Sequence, residues 1–158
     1  MKLAEMLEKT TFQGRVLFIG SPLHAVEIAE KLSISELVVA TDDRQSLEQA
    51  MTSHHGLKIT PIYTRVIERL VELPSQSFDT IIAIYALEKA VNKRAFMTEA
   101  RRLLREKGKL FITEKIKSFL RGQGLKKEEF EKLLNTQGYA TESLQYRGGE
   151  ALAVLVKQ

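Results

Sequence analysis

The stretch Phe78-Asp-Thr-Ile-Ile-Ala-Ile-Tyr85 carries the clearest structural signal in the chain. Its apolar, β-branched run is typical of a strand that is buried on both faces of a parallel sheet. A helix is predicted after it, because apolar residues recur there at helical spacing: Ala95, Phe96, Ala100, Leu103 and Leu104. The run Lys109-Leu-Phe-Ile-Thr113 then predicts another strand. Strand, amphipathic helix and strand in this order form the repeating unit of α/β proteins.

The same unit repeats toward the N-terminus. The run Arg15–Gly20 predicts the first strand, and a helix is expected to begin at Pro22, since proline suits the first turn. The run Leu37–Thr41 predicts the second strand. The next helix should begin near Asp43 or Arg44, with Asp42 or Asp43 as its cap.

A weaker strand and a terminal hairpin complete the pattern. The run Leu57–Thr64 predicts a strand at the edge of the sheet, where the missing N–H of Pro61 costs least. A short helix over Val66–Leu73 is predicted to follow. Beyond Thr113, a helix is predicted over Lys126–Gln137, with Gly138 past its end. The last two predicted strands, Thr141–Arg147 and Ala151–Lys157, are joined by Gly148-Gly149 as an antiparallel hairpin.

Composition excludes several classes of protein. The 158 residues suit one domain over 1–158, with an N-terminal helix in 1–13 and a core in 14–158. The absence of cysteine excludes disulfides and thiolate chemistry. No apolar stretch approaches the roughly 18 residues of a membrane span, and the N-terminal segment has no apolar signal-peptide core. We therefore expect a cytoplasmic protein without a membrane partner.

The best-matched segments, Ser77–Leu87 and Phe96–Ile112, give the chain a recognisable likeness. The sequence resembles the class I S-adenosylmethionine-dependent methyltransferases over about residues 14–157. The residues that match the family pattern in the second segment are Glu99, Arg102, Leu104, Gly108 and Leu110. The resemblance implies a Rossmann-like α/β fold with a seven-stranded, mostly parallel sheet in the order 3-2-1-4-5-7-6 and a C-terminal antiparallel hairpin.

The resemblance also implies where S-adenosylmethionine would bind. In open sheets of this kind, ligands bind beyond the carboxyl ends of the strands, where the strand order reverses. The loops 20–24, 41–43, 63–65 and 85–88 should converge there. The candidate cofactor-binding residues are Gly20, Ser21, Thr41, Asp42, Thr64 and Tyr85. No catalytic residue and no metal ligand is assigned.

The cofactor motifs depart from the family pattern at three of these loops; in the third, Thr64 and Arg65 stand in the region where the family has an acid near the adenine. The family's first loop reads acid-x-Gly-x-Gly-x-Gly, whereas the corresponding residues here are Phe18, Gly20, Pro22 and His24. At the end of the second strand, Thr41 stands where the family has a ribose-binding acid, and Asp42 comes one position later. A shift of one residue within a strand reverses the direction of the side chain.

These departures predict a methyltransferase-like domain that has lost or weakened S-adenosylmethionine binding and acts as a binding or scaffolding partner. The alternative is an active S-adenosylmethionine-dependent methyltransferase, for which a macromolecule is one candidate substrate. Catalysis does not require a base, because methyl transfer can proceed by proximity and orientation alone. A protein partner or a homo-oligomer fits the first reading. A third possibility is another small ligand in the same crevice, since a fold does not fix a function.

Other candidate sites have plainer explanations. His54-His55 suggests a metal site, but adjacent residues point in different directions, so a solvated helix end is favoured. His24 should face the crevice, where a polar loop residue is favoured over a general base. The pair Asp42-Asp43 could hold Mg²⁺, although helix capping is favoured.

Charge is distributed unevenly along the chain. Residues 1–92 carry 9 Lys/Arg against 12 Asp/Glu, and residues 93–158 carry 15 against 8, so the halves differ although the net charge is +4. The connection Lys115–Lys127 is basic and contains Phe119, so a nucleic-acid backbone is a possible partner. A flexible loop packed against the domain by Phe119 and Leu120 is the favoured alternative.

Overall fold

Seven strands form one sheet in the order β3-β2-β1-β4-β5-β7-β6. The computed structural model describes residues 2–7, 12, 14–53, 56–118 and 122–158. Its strands are β1 Val16–Gly20, β2 Glu36–Thr41, β3 Lys58–Tyr63, β4 Phe78–Ile84, β5 Leu104–Lys115, β6 Tyr139–Arg147 and β7 Glu150–Lys157. Its helices are α1 Lys2–Leu7, α2 Pro22–Lys31, α3 Arg44–Ser53, α4 Lys93–Leu103 and α5 Lys127–Leu134.

The pairing of the strands confirms the predicted topology. Strands β1 to β5 pair in parallel, and β7 lies antiparallel between β5 and β6. The first and fourth strands, on which the prediction of a buried parallel sheet depended most, are neighbours at the centre. The carboxyl ends of β1, β2, β4 and β5 therefore lie along one edge of the sheet.

Each face of the sheet carries its own apolar cluster. Side chains alternate along a strand, so Leu17 packs with α4 and α5 on one face, and Phe18 packs with α1, α2 and α3 on the other. The buried stripe of α4 includes Phe96 and Ala100, as its periodicity predicted. In α1, Leu3 and Leu7 belong to the cluster that contains Phe18. None of the helices in the described part of the chain is long and apolar enough to cross a membrane.

The two outer strands have protected edges. Along β3 the N–H groups of even-numbered residues point to β2, because Lys58 and Thr64 at its two ends donate to carbonyls there. The nitrogen of Pro61 therefore points outward, as predicted for an edge strand. At the opposite edge, the register of β6 against β7 shifts between Thr141 and Ser143. Proline and bulges both discourage pairing with another chain.

The predicted helix over Val66–Leu73 is wrong, because this segment forms two turns instead. Side chains from the neighbouring α4 bind backbone groups of this segment. Glu99 Oε2 accepts a hydrogen bond from Leu70 N (2.6 Å), and Arg102 donates to the carbonyls of Leu70 (3.1 Å) and Leu73 (3.0 Å). The motif residues Glu99 and Arg102 thus hold the connection between β3 and β4.

Several element boundaries also differ from the prediction. The fifth strand begins at Leu104 rather than Lys109, because Leu104 pairs with Phe78 before an irregularity in the register. The last helix ends at Leu134, three residues before Gln137. Gly138 follows with a positive φ of 93°, as expected beyond a helix end. The described N-terminal helix is limited to Lys2–Leu7.

Candidate cofactor crevice

A cavity of about 260 Å³ lies at the carboxyl ends of β1, β4 and β5. This is the edge of the sheet where a ligand is expected, because the strand order reverses between β1 and β4. Two of the predicted cofactor-binding residues, Ser21 and Tyr85, line it. The cavity is also lined by Ile84, Glu88, Lys89, Lys115 and Gln123.

The loop after β1 is built as a helix start. Ser21 caps α2, with its Oγ accepting from His24 N (3.5 Å) and lying 2.7 Å from His24 Nδ1. Pro22 is the first helical residue and has no N–H to offer a ligand. Gly20 has a φ of 118°, and a Cβ there would lie closer than 3.0 Å to the Ile84 carbonyl. The retained glycine therefore allows β1 to approach β4.

The end of β2 offers no uncommitted carboxylate. Thr41 is the last strand residue and is fully buried, and its Oγ1 accepts from Asp43 N (3.0 Å). Asp42 follows the end of the strand, and its Oδ1 lies 3.7 Å from Lys89 Nζ. Since Lys89 follows β4, this ion pair spans the carboxyl end of β1. Asp43 caps α3 by accepting from Ser46 N (3.0 Å), so its predicted capping role is confirmed.

Thr64, the predicted residue at the end of β3, does not line the cavity. Its N–H extends the ladder to the Thr41 carbonyl (3.0 Å). Its hydroxyl accepts from Val66 N (3.1 Å) within its own turn. The structure thus brings Ser21 and Tyr85 together, joins Asp42 to them through Lys89, and leaves Thr64 apart.

Tyr85 is held in place from three sides. It directly follows β4 with a positive φ of 52°, which is uncommon for a residue with a side chain. Its hydroxyl donates a hydrogen bond to Glu150. Lys115 Nζ lies 5.4 Å from the centre of its ring, and the His24 ring contacts it edge-on at 5.7 Å. The tyrosine ring is therefore a fixed wall of the crevice.

A buried carboxyl group behind this wall was missed by the sequence reasoning. Glu114 lies near the end of β5 and is fully buried. Its Oε1 accepts from Leu87 N (2.7 Å) and Glu88 N (3.3 Å), and its Oε2 has no partner among the described residues. Burial raises the pKa of Glu114 to about 8. An acid directly after the apolar run ending at Thr113 was the available signal.

The described residues contain no group of three or more side chains that could hold a metal ion. The His54-His55 pair lies outside the described residues, so its predicted role as a solvated helix end stays a prediction. The same holds for Phe119 and Leu120 in the basic connection. Lys115, at the start of that connection, does reach the crevice.

Comparison with known proteins agrees with this geometry. The family model described as "Methyltransferase domain" matches residues 19–112, which is more than half of the chain. The chain belongs to this methyltransferase family. Its membership places it in the class I S-adenosylmethionine-dependent superfamily, as its motifs predicted. No curated protein sequence matches it.

Solved structures share the fold of this methyltransferase domain at low sequence identity. The [4+2]-cyclase SpnF superposes with a TM-score of 0.80 at 15% identity, over 99% of this chain and 80% of the cyclase. A possible histamine N-methyltransferase from Thermotoga maritima superposes with a TM-score of 0.73 at 16% identity, over 98% of this chain and 87% of that protein. A putative methyltransferase from Haloferax volcanii, in complex with the Trm112 activator, superposes with a TM-score of 0.76 at 13% identity. The match covers 99% of this chain and 88% of that protein.

The family implies S-adenosylmethionine, and several side chains at the crevice are engaged within the protein. The hydroxyl of Thr41 is engaged by the backbone of its own turn, and the carboxylate of Asp42 is engaged by Lys89. Ser21 is engaged as a helix cap. Of the family's three first-loop glycines only Gly20 remains, and its close neighbour is Ile84.

Proposed function

We propose that this methyltransferase domain binds S-adenosylmethionine weakly or not at all and acts by binding another macromolecule. The observation that carries the proposal is the end of β2. The acceptor expected there by resemblance is replaced by the buried Thr41, and the carboxylate one residue later is paired with Lys89.

The missing carboxylate acceptor should lower the affinity for S-adenosylmethionine more than the ion pair does. A hydrogen bond to a charged group contributes roughly 1.5–3 kcal/mol, or about one to two orders of magnitude in affinity. The ion pair between Asp42 and Lys89 is partly exposed and contributes at most about 1 kcal/mol. A ligand could displace the pair at little cost, but no rearrangement of Thr41 would create a carboxylate.

The structural relatives are compatible with a role other than methyl transfer. One of them is named as a [4+2]-cyclase, and another is a putative methyltransferase in complex with an activator protein. The methyltransferase fold therefore occurs in proteins described by other activities and in assemblies. The complex is compatible with a binding role, and the cyclase illustrates that a fold does not dictate a reaction.

Calorimetric titration of the full chain with S-adenosylmethionine and S-adenosylhomocysteine tests the proposal. We expect no saturable binding below about 1 mM, and no rise in melting temperature. A ligand at about 100 times its dissociation constant would stabilise the fold by roughly 2.7 kcal/mol. Saturable micromolar binding would overturn the proposal and favour an active methyltransferase, for which the open crevice suits a macromolecular acceptor.

The variant Lys89→Ala separates the two causes of weak binding. Its control is Lys58→Ala, which removes a more exposed ion pair, with Glu36, at the amino-terminal ends of the strands. We expect both variants to bind the cofactor as poorly as the wild type. Micromolar binding by Lys89→Ala alone would show that the ion pair, rather than the missing carboxylate at position 41, limits the affinity.

A further inference from the structure

Four exposed lysines lie beside the crevice, where the chain leaves β5 and enters α5. We call them the lysine rim: Lys115, Lys117, Lys126 and Lys127. Within the described residues, none of the four lies within 4.0 Å of a carboxylate oxygen. Of the other described lysines, Lys31, Lys58, Lys89 and Lys109 do have such a partner, whereas Lys93, Lys107, Lys132 and Lys157 do not.

The backbone brings the rim lysines together. Ile116 and Leu125 form an isolated parallel bridge, in which Lys117 N donates to the Leu125 carbonyl (2.7 Å) and Leu125 N to the Lys115 carbonyl (2.9 Å). Ile116 and Leu125 both pack in the apolar cluster that contains Leu17, on the α4 and α5 face of the sheet. Because side chains alternate along extended segments, the side chains of Lys115, Lys117 and Lys126 point away from that cluster, on the same side.

Two further features fix this arrangement. Gly124 has a φ of 111°, and a Cβ there would lie closer than 3.0 Å to the Lys115 carbonyl, so only glycine permits the approach. Ile116 N donates to the Gly149 carbonyl (2.9 Å), which ties the bridge to the β6–β7 hairpin. Lys117 and Lys126 each follow one residue of the bridge, so their like charges lie on adjacent segments, which is unfavourable. An anion lying across Lys117 and Lys126 would remove that repulsion.

Aromatic rings accompany the rim at both ends. Lys127 Nζ lies 4.8 Å from the centre of the Tyr146 ring, and 40% of Tyr146 is exposed. At the crevice end, Lys115 Nζ lies beside the ring of Tyr85. A line of cations beside an exposed aromatic ring, here that of Tyr146, suits single-stranded nucleic acids. Glu128 and Glu129 lie in the first turn of α5, and Glu131 accepts a hydrogen bond from the Tyr146 hydroxyl (2.7 Å). These carboxylates weaken the positive potential of the rim, so we expect micromolar affinity.

We propose that the lysine rim binds the phosphate backbone of a single-stranded nucleic acid. The inference rests on the binding role proposed above and names the partner. Lys117 and Lys126, on which its test depends, do not line the crevice. Cofactor titration and nucleic-acid titration can therefore fail independently of each other.

Fluorescence anisotropy with labelled oligouridine and oligothymidine tests the proposal on the full chain. Strands of about twenty nucleotides exceed the footprint of one small domain. We expect micromolar binding to both at about 50 mM salt, because the contacts are to phosphates. The logarithm of the affinity should fall with the logarithm of salt concentration at a slope near −2.8, about 0.7 for each of four phosphate contacts.

The double variant Lys117→Gln/Lys126→Gln should weaken binding about tenfold and reduce the slope to about −1.4. The matched control Lys31→Gln/Lys58→Gln changes the net charge by the same amount, near the amino-terminal ends of the strands. It should bind the oligonucleotides within about twofold of wild type. Both variants are expected to melt like wild type, since all four side chains are exposed. Their cofactor titrations should also match wild type.

Three results would overturn the inference. The first is no binding to either oligonucleotide at low salt. The second is an equal loss of affinity in both double variants, since this would reflect net charge rather than the rim. The third is equally tight binding to anionic phospholipid vesicles or to polyglutamate, which would assign the rim to a membrane or to an acidic protein.

Discussion

At the scale of single residues, Glu114 shows how the crevice is supported from behind. Its carboxyl group accepts hydrogen bonds from Leu87 N and Glu88 N, in the turn that leads to Lys89. Burial favours the neutral form, because a charged carboxylate loses its hydration there. The turn beside the cavity therefore depends on a carboxyl group that keeps its proton at neutral pH.

Replacing Glu114 by glutamine should remove a pH dependence of stability. The folded pKa of Glu114 is about 8, against an ordinary value of 4.5. Between these values the unfolded state binds fewer protons, so the free energy of unfolding of the wild type falls as pH rises. Relative to wild type, Glu114→Gln should gain stability by up to about 1.4 kcal/mol per pH unit across this window. Urea unfolding near pH 5, 6.5 and 8 measures the difference.

The exposed Glu129 on α5 provides the control for this experiment. Glu129→Gln should leave the shape of the pH profile unchanged, because the side chain remains in water in both states. A stability difference between Glu114→Gln and wild type that is the same at every pH would contradict the proposed protonation of Glu114.

At the scale of elements, the connection between β3 and β4 depends on two side chains of α4. Arg102 is paired with Glu99 (2.6 Å) and donates to carbonyls of the connection. Burial alone would raise the pKa of Glu99, but the hydrogen bonds from Arg102 and Leu70 outweigh it and hold the pKa below its ordinary value. The family motif in α4 is thus a structural feature of this segment.

Removing the guanidinium should release the connection. Arg102→Ala removes the side-chain donors of the Leu70 and Leu73 carbonyls, of which Leu70 keeps only the backbone donor Leu73 N. We expect a loss of roughly 2–4 kcal/mol in the free energy of unfolding. Amide hydrogen exchange at Leu70 should accelerate. Arg94→Ala, at an exposed position of the same helix, should cost less than about 0.5 kcal/mol. Equal effects of the two variants would contradict the assigned role.

The successes and failures of prediction at this scale have a common cause. Strands such as β1 and β4 were located from the sequence because their apolar runs reflect burial on both faces. The segment 66–73 was mistaken for a helix because its backbone is bound by side chains about thirty residues away. Local periodicity carries no information about such long-range partners.

At the scale of the whole molecule, the two apolar clusters share one sheet. Ile81 and Ile82 are neighbours on β4 and fully buried, and they face opposite clusters. A perturbation on either face therefore reaches the same central strand. We expect the described sheet and its helices to unfold together as one cooperative unit.

The variants Ile81→Val and Ile82→Val test this expectation. Each removes one buried methylene group and should cost about 0.5–1.5 kcal/mol. Each should lower the midpoint of one and the same thermal transition, by roughly 2–4 °C per kcal/mol. Circular dichroism and tyrosine fluorescence should report coincident transitions in both variants. Two separate transitions, with each variant shifting only one of them, would contradict a single unit.

The sequence by itself determined the positions of the strands, the edge position of β3 and the family, because apolar runs, proline and motif spacing are local properties. The predicted sheet order followed from the resemblance to that family. It also correctly placed Ser21 and Tyr85 at the carboxyl ends of the strands. Only the tertiary structure decided how that edge is used. The pairing of Asp42 with Lys89, the burial of Glu114 and the joining of Ile116 to Leu125 each connect separate parts of the chain. Contacts of this kind arise from how the strands pack, and no local pattern encodes them.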